Sequence, residues 1–379
     1  MRPKVCYLLP KYDPDSEEHF FHIYGFLERL AETADVYLIV ERASSPPALR
    51  GVRRVYTHRL GVPLRALETL AVIAAARLRG FRVFYVHYSF VGALCASIVA
   101  RLTGGRVYYW NCGLASQFFG SWTLDRRALR TKLTAEIPLR WALRAADTLV
   151  TGTPGMAAYY AREFGVPRAR IIVLPNEIDL SRFDGLRPQD AARARLGVGG
   201  GKVVLFLHRL SPRKGADLLP EIVRRAVASR ADVFFLIAGD GPSRSAVERA
   251  LAEAGLLSHA RLLGWVPNRD VADLYAAADL YIMPSLEEGF PRVLLEAMAT
   301  GTPFVASDVG GVREICTAEQ QRWLVPPGAA DRFADAVVEL LGRDELRRGL
   351  GVIGREHVRN YDVSVVAQLF MQRILRQAA

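Results

Sequence analysis

The segment PSLEEGFPRVLLEAMATGTPFVASDVGG, Pro284 to Gly311, decides the fold. It follows DLYIM (Asp279–Met283), an apolar run with the length and composition of a buried strand. Ser285 to Phe290 then reads as the loop at the carboxyl end of that strand. Pro291 suits the first turn of a helix, where its missing N–H is not needed. Thr300 and Gly301 end the helix, and Pro303 opens the next strand, PFVAS. A strand–loop–helix–strand unit of this kind implies a parallel α/β sheet. Two carboxylates mark it: Glu288 in the loop and Glu296 about a turn and a half into the helix, with Gly289, Phe290 and Pro291 between them. Their spacing alone better suits an ion-paired surface helix, so the surroundings must decide.

Outward from this unit the alternation continues in both directions. In the second half, strands are expected at Val203–His208, Val233–Ala238, Ala260–Leu263, Leu280–Met283, Phe304–Ala306 and Trp323–Val325. In the first half they fall at Val5–Leu9, Val36–Glu41, Val52–Thr57, Val83–His87, Val107–Asn111, Thr148–Thr151 and Ile171–Leu174. Helical patterns fill the gaps. Two doubly wound, parallel-sheet domains follow, and 379 residues suit two domains of comparable size. The polar stretch from Asn176 to Lys202, with its Pro and triple Gly, predicts the seam. This gives domains at 1–180 and 202–361, a linker at 181–201 and a last helix within 362–379. Val203 after Lys202, and a strand in place of a helix, argue against a phosphate-binding P-loop there.

HRLSPRKGAD (His208–Asp217) follows a strand and opens a helix. Arg209 and Lys214 are placed to reach a diphosphate at the carboxyl edge of the sheet, where such sheets bind ligands. Gly215 lets the backbone approach. Cations at that place offset the charge that builds on a departing diphosphate. An isolated Arg and Lys in a loop are usually just solvated; beside the two glutamates the functional reading prevails.

Together these segments resemble the signature of the retaining, GT-B-fold glycosyltransferases of family 4, the glycosyl transferases group 1 type. HRLSPRKG is similar to that family's G-R-L-x-x-x-K-G motif, with His208 where Gly is usual. RIIVLPNEIDLSRF looks like its P-N-G-V-D…F segment, with Glu177 in place of Gly. The resemblance is strong from His208 to about Gly328 and weaker before it. It implies an α/β fold of the GT-B type, two Rossmann-like domains facing across a cleft, acceptor side first and nucleotide-sugar side second. It also implies that the helix within 362–379 packs back on the first domain.

By the same resemblance, Glu288 contacts the donor sugar, Glu296 the ribose hydroxyls, and Arg209 and Lys214 the diphosphate. The segment around Trp265 and Val266 flanks the nucleobase, Trp265 being either a stacking residue or part of the core. The implied activity is hexosyl transfer from a nucleotide-sugar donor to a hydroxyl of a glycan or lipid-linked glycan, with no cofactor and no essential metal. Rival readings are another GT-B enzyme (an epimerase or a phosphorylase) and a catalytically silent, nucleotide-sugar-binding partner subunit. Hydrolase and nicotinamide-dependent readings lack their motifs: there is no GxSxG, and no GxGxxG after the first strand.

In the first half the loop after the first strand, PKYDPDSEEHF, has no Gly, and Ser16 is expected to cap the next helix. His19 and His22 lie one turn apart on one face. They could bind a metal, sense the donor or lie near the acceptor; two His are too few for a strong metal site. Asp13 and Asp15 read as a turn signal. Asn111 stands where the family often has a His that contacts the sugar. His87, at the end of VFYVH, is the alternative polar group, although a His at a strand end is more often structural.

Composition bounds the rest. With 51% hydrophobic and 23% charged residues the chain is an ordinary globular one. Cys6, Cys95, Cys112 and Cys316 are widely spaced, which suits a reducing cytoplasm and neither a zinc site nor a disulfide framework. No apolar run approaches the ~20 residues of a membrane span. The net charge of +11 is heaviest in the first half. Arg126, Arg127, Arg130, Lys132, Arg140 and Arg144 stud an amphipathic helix that either docks on an anionic membrane face or is simply solvated. No nucleic-acid motif accompanies it.

Overall fold

The computed structural model describes residues 2–14, 21–61, 64–113, 134 and 136–376. The chain divides into two compact units, one of Met1–Glu177 with Val363–Ala379, the other Ile178–Asp362.

The first unit is built on a seven-stranded sheet in the order β3-β2-β1-β4-β5-β6-β7. Its strands are β1 (Lys4–Leu9), β2 (Asp35–Val40), β3 (Arg54–Thr57), β4 (Val83–His87), β5 (Arg106–Trp110), β6 (Thr148–Thr151) and β7 (Ile171–Val173). Every pairing is parallel. β1, β2 and β4 are buried almost throughout, as strands covered by helices on both faces must be. The helix Val363–Phe370 packs on this unit, its Phe370 ring edge-on to Tyr85 at 4.8 Å and to Phe26 at 5.5 Å.

The second unit carries a six-stranded sheet, β10-β9-β8-β11-β12-β13, again parallel. Its strands are β8 (Lys202–Leu207), β9 (Val233–Ala238), β10 (Ala260–Gly264), β11 (Leu280–Met283), β12 (Phe304–Ser307) and β13 (Leu324–Val325). Val204, Phe206, Phe235, Ile237, Ile282 and Val305 form the centre of its core, closed by Phe333 and Val337. The order reverses between β8 and β11, which are neighbours. The loops leaving these two strands therefore diverge to opposite faces and open a crevice at the carboxyl edge. His208 to Lys214 follow β8, and Ser285 to Pro291 follow β11.

Two glycines let these loops meet backbone to backbone. Gly215 has φ +68°, and a Cβ there would lie 1.9 Å from the Pro284 carbonyl oxygen. Gly310, after β12, has φ +52°, and its Cβ would fall 1.6 Å from the Glu288 carbonyl oxygen. Any side chain at either position pushes the Glu288 loop out of place.

The expected linker 181–201 is corrected by the structure. It belongs to the second unit and carries the helix Gln189–Leu196. Arg193 anchors that helix by donating to the Ala277 carbonyl at 3.0 Å and to Asp279 at 2.5 Å. Pro and Gly mark the ends of this segment, not a free connector.

Ser16, His19, Asp15, Arg126, Arg127, Arg130 and Lys132 lie outside the described residues. Of the basic helix, Ile137–Ala145 is described, with Leu139, Ala142 and Leu143 buried and Trp141 57% exposed. Among the described residues no helix is long and apolar enough to cross a membrane.

Candidate functional site

Glu288 and Lys214 form the centre of the second unit's crevice. The Lys214 ammonium donates to Glu288 Oε1 at 2.6 Å, the Ser285 hydroxyl donates to the same oxygen at 2.8 Å, and His208 Nε2 stands 3.4 Å from it. Lys214, Ser285 and Glu288 are all buried. His208 Nδ1 accepts the Arg209 backbone N–H at 2.9 Å, so the ring proton sits on Nε2 and faces the carboxylate. With Oε1 so occupied, Oε2 is the oxygen left to accept from a ligand.

Burial alone would raise the Glu288 carboxyl. The Lys214 charge, with hydrogen bonds from His208 and Lys214, outweighs it and brings the group down to about 2. Burial lowers Lys214, with Glu288 pulling the other way. His208 is lowered by burial and by the Lys214 charge, which keeps its ring neutral beside the pair. An ionised carboxylate held by a buried ammonium is thus the state built into this site.

Glu296 sits within the helix Arg292–Thr300, 8% exposed. The Tyr275 hydroxyl donates to the Val293 carbonyl at 2.9 Å and lies 3.5 Å from Glu296 Oε2. Burial raises this carboxyl above its ordinary range, and Arg292 and Arg182 offset only part of that. A buried carboxylate with so little local solvation is primed to accept hydroxyl donors.

The remaining predicted residues separate into groups. Arg209 is exposed and makes no ion pair among the described residues, whereas Lys214 gives one of its three N–H donors to Glu288. Gly289, Phe290 and Pro291 are buried, and the Phe290 ring packs edge-on against Tyr361 at 5.8 Å. Trp265 is 54% exposed, which rules out its core reading, and Val266 beside it is half-buried.

In the first unit, His87 is buried, stacked on Trp110 at 4.2 Å and bonded through Nδ1 to the Tyr7 hydroxyl at 3.1 Å. Burial and the nearby His22 charge push it down to about 3. His22 Nδ1 lies 2.6 Å from Glu177 Oε1. A cavity of about 20 Å³, room for one water, lies among Tyr7, His87, Trp110 and Glu177.

Asn111 does not present itself to a ligand, contrary to the expectation. It is fully buried, accepting from the Tyr160 hydroxyl at 2.7 Å and the Gly113 N–H at 2.9 Å and donating to the Tyr109 hydroxyl at 3.0 Å. Its amide oxygen and one of its two N–H donors are engaged within its own unit.

Sequence reading missed Ser285, the role of His208 and the placing of Arg182 and Arg292 near Glu296. Ser285 could have been found, as a hydroxyl three residues before Glu288 in the same loop. Among the described residues no group of three or more His, Cys, Asp and Glu side chains gathers as metal ligands would.

The two sheets, each with its crevice at a reversal of strand order, define a GT-B fold, and solved structures bear this out. The chain superposes on Anabaena Alr3699/HepE in complex with UDP with a TM-score of 0.77 at 18% identity, covering 98% of this chain and 99% of that one. It superposes on sucrose-phosphate synthase from Thermosynechococcus elongatus with a TM-score of 0.76 at 23% identity, covering 99% of each.

Residues 188–357 match the family model "Glycosyl transferases group 1", and residues 21–182 match "Glycosyltransferase Family 4". The chain belongs to the family 4 glycosyltransferases of the group 1 type. Among curated relatives it is 31% identical to 2-deoxystreptamine glucosyltransferase of Streptomyces kanamyceticus over 65% of this chain and 64% of that protein. It is 38% identical to phosphatidyl-myo-inositol mannosyltransferase of Mycobacterium leprae over 53% of this chain and 52% of that protein. It is 36% identical to D-inositol 3-phosphate glycosyltransferase of Nocardia farcinica over 57% and 50%. The chain thus spans about half to two thirds of the length of these relatives.

Proposed function

We propose that this chain is a retaining glycosyltransferase that moves a hexosyl group from a nucleotide sugar to an acceptor hydroxyl, on a glycan or a lipid-linked glycan. The observation that carries the proposal is the Lys214–Glu288 pair, buried at 2.6 Å in the carboxyl-edge crevice of the second sheet. Such a pair costs desolvation that packing alone does not require, and it holds a charged carboxylate oxygen ready for sugar hydroxyls. The mannosyl- and glycosyl-transfer activities named for the relatives point the same way.

In this reading Glu296 accepts from the ribose hydroxyls, Arg209 and Lys214 neutralise the leaving diphosphate, and Trp265 and Val266 border the base. Glu288 orients the sugar and stabilises positive charge at the anomeric carbon. The bond from that carbon to the diphosphate oxygen breaks. A bond to the acceptor oxygen forms on the same face, and the hydroxyl proton passes to a phosphate oxygen of the leaving group. With two basic side chains supplying the positive charge, turnover needs no metal and should be unchanged by EDTA. The acceptor would be met on the cytoplasmic side, at a membrane surface if it is lipid-linked.

The test has two parts. A thermal-shift screen of UDP-, GDP- and ADP-sugars identifies the donor, because a ligand bound to the folded state raises its apparent stability. Release of nucleoside diphosphate is then measured with and without candidate acceptors, and the anomeric configuration of the product is read by NMR. Release that never depends on an acceptor would sink the transferase reading, and an inverted product would sink the retaining course.

A further inference from the structure

The helices Arg65–Leu78 and Phe90–Thr103 carry the chain from β3 to β4 and from β4 to β5. They lie side by side and point the same way. Near their starts the Cys95 thiol donates to the Ala66 carbonyl at 3.6 Å. At their ends Arg77 donates to the Thr103 carbonyl at 2.6 Å and to the Gly104 carbonyl at 2.8 Å. The helix Ile137–Ala145 adjoins them, with Arg101 donating to the Ala145 carbonyl at 3.4 Å.

The first two helices are apolar on both sides. Inward, Val72, Ile73 and Ala76 of one and Ala96, Val99 and Ala100 of the other are buried. Outward, Leu64, Leu67, Ala71 and Leu78 recur at helical spacing and are exposed, as are Val91, Ile98 and Leu102. Leu67 is 63% exposed, Leu102 81% and Leu78 90%. A solvated helix sets polar side chains outward. In the second unit, the helix Leu219–Ser229 does so: it buries Leu219, Ile222 and Val223 and turns out Glu221, bonded to Arg224 and Arg225. A contiguous apolar band left on the surface marks a place of contact. None of its residues belongs to the site described above.

The charge around this band has one sign. The three helices hold a single carboxylate, Glu68, and it is buried. It accepts from the Tyr56 hydroxyl at 2.8 Å and from the backbone N–H groups of Arg59 at 2.7 Å and Leu60 at 3.0 Å. Arg79, Arg82 and Arg101 are exposed close to Leu78 and Leu102 in the chain and make no ion pair among the described residues. Arg79 and Arg101 do donate to the carbonyls of Ala75 and Ala145, at 3.0 Å and 3.4 Å. Those bonds hold the guanidinium groups in place and leave their charge unpaired.

The charge decides what covers the band. A second copy joined through the same face would set arginines against arginines, with no free carboxylate on these helices to receive them. An anionic bilayer supplies both things the face lacks: an apolar interior for the leucines and phosphates for the guanidinium groups. We propose that the outer face of these two helices docks on an anionic phospholipid bilayer. Leu78 and Leu102 enter the acyl boundary, and Arg79, Arg82 and Arg101 pair with lipid phosphates. Charge alone pointed to the segment Arg126–Arg144; the apolar area lies on the two helices that precede it. The proposal goes beyond the glycosyl-transfer reading and does not depend on it.

The full-length chain is floated with vesicles of phosphatidylglycerol in phosphatidylcholine and of phosphatidylcholine alone. At least tenfold more protein should bind the anionic vesicles, and added salt should weaken that binding by screening. Two variants, Leu78→Ser with Leu102→Ser and Arg79→Gln with Arg82→Gln and Arg101→Gln, should each bind tenfold less or weaker still at an unchanged melting temperature. A polarity-sensitive dye on Leu102→Cys should shift to the blue on anionic vesicles; the four native thiols are buried, which directs the label to this position. The proposal is overturned by equal binding to both vesicles, by binding to neither, or by a leucine variant that binds as the parent does. A parent that sediments as a dimer, with a monomeric leucine variant, would also overturn it and assign the face to a second copy. Nucleotide-sugar binding without vesicles reports separately on the transferase reading, and its loss would leave the membrane result standing.

Discussion

Lys214 Nζ lies 2.6 Å from Glu288 Oε1, and both side chains are buried, on loops that leave the neighbouring strands β8 and β11. Removing one partner strands the other in a low dielectric. Lys214→Ala should therefore destabilise the second unit by about 3–5 kcal/mol, and Lys214→Met with Glu288→Gln by clearly less. Urea unfolding of the parent, Lys214→Ala, the single variants Lys214→Met and Glu288→Gln and the double variant checks this, and simple additivity of the two single changes in the double variant would refute a coupled pair.

The same pair sets an acid limit. Glu288 is held down at about 2, below its unfolded value of 4.5, so its contribution to stability is fully present above about pH 4.5. It is lost as the pH falls toward 2, where the folded carboxyl protonates. Glu288→Gln should therefore unfold with less dependence on pH over that window than the parent. Parallel curves for the two proteins would contradict the assignment.

His208 occupies a place where its family usually has Gly, and its Nε2 proton faces Glu288 at 3.4 Å. In the proposed reaction it holds the carboxylate in position without touching substrate. His208→Gln keeps an N–H donor and should retain most turnover; His208→Leu should raise KM for the donor sugar by about tenfold, the worth of ~1.4 kcal/mol. Equal kinetics in the two variants would reduce His208 to a packing residue.

How far the sequence reached can be judged at these residues. Strands such as Val203–Leu207 and Leu280–Met283 are legible because both faces of a parallel sheet are covered, which leaves unbroken apolar runs. Glu288 and Glu296 were legible from loop and helix signals. That Lys214 is buried while Arg209 stays exposed was not, because the left-handed turn at Gly215 and its contact with Pro284 decide it. Asn111 misled because its partners, the Tyr109 and Tyr160 hydroxyls, come together only in the folded unit. Likewise Glu177 finds His22 across 155 residues, and no local pattern encodes that.

Glu296 offers a trade between stability and binding. Burial raises its carboxyl above the ordinary range, so its ionised form costs folding free energy. That cost lessens as the pH falls and the group protonates. Glu296→Gln should therefore melt at a higher temperature than the parent at pH 7 while binding nucleotide sugars at least tenfold more weakly. A lower melting temperature, or an unchanged dissociation constant, would count against a carboxylate kept for ribose.

His87 tests whether the first unit contains a proton switch or a structural imidazole. It is buried between Tyr7 and Trp110, and burial, with His22 nearby, pushes it down to about 3. Its ordinary value is 6.5, so between about pH 6.5 and 3 the unfolded chain binds a proton that the folded chain does not. Stability attributable to His87 is therefore intact above pH 6.5 and falls with pH at on the order of 1 kcal/mol per unit. His87→Gln should remove that share of the acid dependence, at some loss of stability at pH 8 from the broken stack on Trp110. Between pH 6.5 and 8 the imidazole stays neutral in the folded chain, so turnover should show no inflection that His87→Gln abolishes. Loss of such an inflection in the variant would make His87 a proton carrier, in conflict with its burial.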